Sequence, residues 1–130
     1  MTAYRPLVVL SFALLAACSS QPRHSVTLEK QAQCPVRLNV GQSITLILPS
    51  TPTTGYRWQV REPAGNVLRS LGPEVYSNPE DAGVVGAAGQ SVWRFRAQTA
   101  GQGKLLLVLQ QPWALEVKPV ETFECAVEVD

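Results

Sequence analysis

Apolar and polar residues alternate in short bursts along most of this chain, and the bursts are parted by Gly, Pro, Asn and Ser. In "PVRLNV" (residues 35–40) the apolar positions are Val36, Leu38 and Val40, with Cys34 one step before them. In "TFECAVEV" (122–129) they are Phe123, Cys125, Val127 and Val129. "GYRWQV" (55–60) sets Tyr56, Trp58 and Val60 on one face, and "SVWRFRAQ" (91–98) sets Trp93 and Phe95 opposite Arg94 and Arg96. A period of two marks a half-buried strand, because successive side chains of an extended backbone point to opposite faces. "KLLLVLQQ" (104–111) is nearly continuous, as in a central strand covered on both sides. With "SVTLEKQ", "SITLILP" and "NVLRSLG" the pattern gives about eight short elements at spacings of roughly 8–15 residues. No segment keeps a helical period. The prediction is an all-β domain, a sandwich of about 7–8 strands, with Trp58, Trp93 and Phe95 in the core and Arg57, Arg94 and Arg96 on a solvated face.

Three connections are more than simple turns: "PSTPTTG" (49–55), the stretch 72–90, and "QQPWALEVKPVE" (110–121). Long loops in a compact domain usually carry function, and alternate loops of a sandwich emerge at the same end. Three such loops can form one tip. The first is unusual for a turn, since it holds two prolines, three threonines and no charge.

Residues 1–17 carry a different signal. Arg5 precedes an apolar stretch, residues 7–17, broken only by Ser11. That run is shorter than the ~20 residues of a membrane-spanning helix and suits the apolar region of a secretory signal peptide. It ends in "LLAAC", similar to the lipobox of bacterial lipoproteins, in which Cys18 would become the lipidated N-terminus. An ordinary signal peptide cut near the same place is the other reading. Under the lipoprotein reading, Ser19 and Ser20 in place of Asp favour transfer to the outer membrane, on its periplasmic side. The expected organisation is a signal peptide over 1–17, a lipidated tether over 18–25 and one domain over 26–130.

Without residues 1–17 the 130-residue chain is left with 113, enough to bury a core without help from disulfides. Only Arg5 is lost among the charged residues, so ten Lys+Arg face ten Asp+Glu. There is no basic stripe for nucleic acid and no polybasic patch for anionic lipid. Cys34 and Cys125 both read as facing inward from strands in an oxidising compartment. A bridge between them and two separate buried thiols both fit. The single histidine, His24, lies in the tether, so the domain offers no metal site and no Ser-His or Cys-His device. Enzymatic activity and a cofactor are therefore not expected, which leaves recognition of a partner by a monomer.

"TPTTGYRW", "GAAGQSVWRF" and "QPW…TFE" occur in that order and resemble the signature segments of the chagasin-type cysteine peptidase inhibitors. The resemblance covers about residues 26–130. It implies an immunoglobulin-like β-sandwich whose three loops fill the cleft of papain-like cysteine peptidases, reversibly and competitively. The residues it implicates are Thr51, Pro52, Thr53, Thr54, Gly55 and Tyr56, then Gly86, Ala87, Ala88 and Gly89, then Gln111, Pro112 and Trp113. By the same resemblance Thr54 lies nearest the catalytic pair. Three positions depart from the family pattern. Thr51 stands for the usual Asn and can still make one local hydrogen bond. Ala88 stands for a Gly, and Gln111 for the Arg of an RPW motif. Trp113, in a loop after Gln-Pro, reads as an exposed anchor. An envelope binding module for some other partner, such as a lysozyme-like enzyme or a cell-wall component, is the alternative reading.

Overall fold

The computed structural model describes residues 3–4, 25–78 and 89–130. Nine strands occur among them: β1 Val26–Leu28, β2 Val36–Leu38, β3 Ser43–Ser50, β4 Arg57–Pro63, β5 Leu68–Ser70, β6 Val75–Ser77, β7 Gly89–Ala97, β8 Gly101–Gln110 and β9 Glu121–Val129. One sheet runs β1-β3-β7-β5, with β6 also on β7; the other runs β2-β9-β8-β4. The fold is the expected all-β, immunoglobulin-like sandwich.

The period-two pattern explains the two layers. Ile44, Leu46 and Leu48 of β3 alternate inward beside Trp93 and Phe95 of β7, and Phe123, Cys125 and Val127 of β9 face them from the second sheet. β8 lies between β9 and β4, with Leu105, Leu107 and Val108 all buried. Its unbroken apolar run therefore marks a central strand. Burial of such side chains stabilises each by roughly 1.5–3 kcal/mol.

Cys34 and Cys125 form a disulfide, with their Cα atoms 5.2 Å apart. β2 pairs in parallel with β9, Val36 opposite Val127, and that register carries Cys34 towards Cys125. Only Cys125 lies on a strand, however. Cys34 is half-buried at the end of a 3-10 turn, Gln31–Gln33, and precedes a cis Pro35.

Three further details differ from the alternation. Val40 is 53 % exposed, because β2 stops at Leu38 and the chain turns. Its amide donates to the Asp130 carbonyl, 3.1 Å away. Val60 is also exposed, since β4 is an edge strand whose register shifts between Val60 and Glu62. The stretch 72–90 is not one long loop, because β6 lies within it. β5 and β6 occupy the same edge of β7, pairing with residues 95–97 and 90–92 respectively.

Registers fix which loops share a pole. Ser50, at the end of β3, lies opposite Gly89 at the start of β7. Arg57, at the start of β4, lies opposite Gln110 at the end of β8. The Trp58 indole N–H donates to the Pro49 carbonyl at 2.9 Å and ties the two sheets together there. Val26 pairs with Ile44, and Val129 with Gly101, so both ends of the domain lie at the other pole.

Candidate functional site

The loop from β3 to β4 crosses between the sheets and is braced from within. Pro52 opens a 3-10 turn, Pro52–Thr54, where its fixed φ suits the first position and its missing N–H is not needed. Thr51 before it has φ −126° and ψ 76°. The Thr54 amide donates to the Thr51 carbonyl and the Gly55 amide to the Pro52 carbonyl, both at 3.0 Å. The Thr54 hydroxyl also donates to the Thr51 carbonyl, at 2.6 Å. One Arg57 guanidinium nitrogen donates to the Pro52 carbonyl at 2.8 Å and to the Tyr56 carbonyl at 3.3 Å. The carbonyls of Thr51 and Pro52 thus each take two donors, all from the loop except the Arg57 guanidinium at the start of β4.

Two sequence-based expectations change here. The Thr51 side chain makes no capping hydrogen bond; its carbonyl is the group engaged, through Thr54. Arg57 is exposed, as expected, but its guanidinium braces the loop instead of lying on an open sheet face.

The loop from β8 to β9 meets the first loop directly. Trp113 is 69 % exposed, yet one edge of its ring lies over Gly55. A side chain at position 55 would place its Cβ 2.5 Å from Trp113 Cη2 and 3.2 Å from Cζ2. Gly55 also has φ +84°, in the left-handed region that favours glycine. Two independent constraints, backbone conformation and a neighbouring ring, therefore require glycine there. Beside this contact, Tyr56, Gln111, Ala114, Val117 and Val120 line a small recess.

The glycine-rich segment is met only at its last residue. Gly86, Ala87 and Ala88 lie outside the described residues, as does Cys18. Gly89 is buried at the start of β7, and the Tyr76 ring fills the space a Cβ would need. Its missing side chain serves internal packing. The register with Ser50 brings this end of the segment to the pole where the first loop leaves.

One residue at this pole was missed by the sequence reading. Gln110, at the end of the apolar run of β8, is only 4 % exposed and its carboxamide is fully engaged. The available signal was a polar residue closing a buried strand just ahead of a loop motif. Residues 51–55, 86–89 and 111–115 contain no ionisable side chain. Among the described residues no three His, Cys, Asp or Glu gather as they would around a metal ion.

The family model described as Chagasin family peptidase inhibitor I42 matches residues 37–127. The chain belongs to the chagasin family of peptidase inhibitors. It is accordingly an inhibitor and not an enzyme. Amoebiasin-1 of Entamoeba histolytica is 32 % identical over 74 residues, which is 57 % of this chain and 70 % of that protein. The crystal structure of the cysteine protease inhibitor EhICP2 from the same organism has a TM-score of 0.69 at 18 % identity, covering 82 % of this chain and 96 % of that one. The solution structure of Amebosin has a TM-score of 0.64 at 28 % identity, over 82 % and 98 % of the two chains. The two solved structures share the fold over 82 % of this chain.

Proposed function

We propose that this chagasin-family protein is a reversible, competitive inhibitor of papain-like cysteine peptidases. It occludes the active-site cleft with a tip made of residues 51–56, the segment 86–89 and residues 111–113. The observation that carries this is the packing of Trp113 on Gly55. It brings together the two loops of greatest family resemblance, and residues 51–55 and 111–115 of those loops carry no ionisable side chain. The name of EhICP2, a cysteine protease inhibitor with the same fold, supports the peptidase class.

The loop chemistry fits such a target. A papain-like site holds a thiolate beside an imidazolium, ready to attack a presented carbonyl. In the 51–55 turn the Thr51 and Pro52 carbonyls are turned to internal donors, and neither is offered for attack. No carboxylate has to lose its hydration in the cleft. Because the turn is already ordered, little conformational entropy is lost on binding. No covalent bond forms and no cofactor takes part.

The inhibitor acts as a monomer in the bacterial envelope, held by lipid on Cys18 and facing the periplasm. The chain enters the domain at the pole opposite the tip, which suits an anchor that leaves the tip free.

The test is titration of papain against a peptide substrate. Stoichiometric loss of turnover, reversed on dilution and relieved by excess substrate, is expected. Thr54→Arg should weaken it at least ~30-fold, the scale of a hot-spot loss, while stability falls by no more than about 1 kcal/mol for the lost hydroxyl bond. Undiminished turnover at micromolar inhibitor contradicts the proposal.

A further inference from the structure

We infer that Gln110 is the positioning residue of the β8–β9 loop, holding the backbone that presents Trp113 to the peptidase. The inference rests on the proposed inhibitory function for its consequence, but the contacts stand on their own. Gln110 closes β8 with its side chain turned into the protein, where only 4 % of the residue stays exposed. Its carboxamide oxygen accepts from an Arg61 guanidinium nitrogen. Its carboxamide nitrogen donates to the carbonyls of Val117, 3.2 Å away, and Leu115, 3.5 Å away.

The chemistry of those partners defines the amide's orientation. Arg61 can only donate, and the two carbonyls can only accept. A single buried side chain therefore links edge strand β4 to two points in the middle of the loop. Backbone bonds complete the loop: Ala114 to Gln111, Val117 to Ala114 and Val120 to Leu109, at 3.0, 3.1 and 3.0 Å. All of these are local or at the loop's root. Gln110 supplies the side-chain link from the sheet to the carbonyls of Leu115 and Val117. Without it those carbonyls lose a buried donor, which leaves the loop free to find other partners in water. The apolar side chains on this stretch, Trp113, Leu115, Val117 and Val120, are all more than half exposed, so their own burial does little to hold it.

Gln110→Glu separates this role from general stability. It keeps the size of the side chain and the bond from Arg61, but it turns an acceptor oxygen towards two carbonyls. Amide hydrogen exchange in the free protein and inhibition of papain are measured together. Exchange at Ala114, Val117 and Val120 should rise at least ~10-fold, while Leu107 and Cys125 in β8 and β9 keep their protection. The inhibition constant should rise ~10-fold, equivalent to one lost buried hydrogen bond at about 1.4 kcal/mol. Most of that rise should vanish in a Trp113→Ala background, because the loop then has no anchor to present. Unchanged exchange in the loop overturns the inference. So does faster loop exchange with an unaltered inhibition constant. If the unsubstituted protein leaves papain active, the functional proposal fails, and the exchange data still decide whether Gln110 fixes the loop.

Discussion

Gly55 and Trp113 make opposite demands on the protein, and substitution should separate them. Gly55→Ala would strain a left-handed backbone and drive a methyl group into the Trp113 ring. The expected cost is about 1–3 kcal/mol of stability in urea unfolding, with weaker inhibition as the ring is displaced. Trp113→Ala removes an exposed side chain. It should shift stability by no more than about 0.5 kcal/mol, while inhibition weakens ~30-fold or more. Equal losses of stability and inhibition in both variants would mean that Trp113 is structural. Pro52, Gly55 and the exposed Trp113 were legible in the sequence, because their chemistry is local: a fixed φ, a free φ, an aromatic in a Pro-containing loop. Gln110 and Arg57 were not. A polar side chain's partner is set by folding, and Gln110 meets Arg61 across 49 positions of sequence. Alternation can assign a face to such a residue but cannot name what it touches.

Strands with clear alternation, β3, β7 and β9, follow from the pattern almost directly, as does β8 from its continuous apolar run. β6 does not, since all three of its residues are exposed and it sits in a stretch rich in turn formers. Only the free edge of β7 creates it. Val60 was misplaced for a related reason, because an edge strand with an irregular register need not bury every second residue. The Cys34–Cys125 bridge was one of two readings until the parallel register of β2 on β9 was known. It closes a span of 91 residues and joins the ends of the domain. Removing it by Cys34→Ser with Cys125→Ser should cost about 2–5 kcal/mol in urea unfolding. Because the bridge lies away from Gly55 and Trp113, inhibition by the folded fraction should be unchanged. A stability loss below about 0.5 kcal/mol would mean that the core alone fixes these strands.

The molecule as a whole has two poles. One gathers the β3–β4 and β8–β9 loops and the start of β7; the other holds the first residues of β1 and the last residues of β9. That loops of a sandwich gather at an end was foreseeable from strand count. Which of them touch was not, because contact between Gly55 and Trp113 depends on strand registers, among them the pairing of Arg57 with Gln110. The outcome is an internally braced β3–β4 loop standing on a sandwich whose two layers are tied by Trp58 just beneath it. The proposed occlusion of a nucleophile by the tip can be read most directly from the nucleophile itself. The rate at which iodoacetamide alkylates the papain active-site thiol should fall at least ~100-fold at saturating inhibitor, and full thiol reactivity should return when the complex is diluted. Alkylation at the uninhibited rate, with complex formation verified in the same sample, would show that the tip does not enter the cleft.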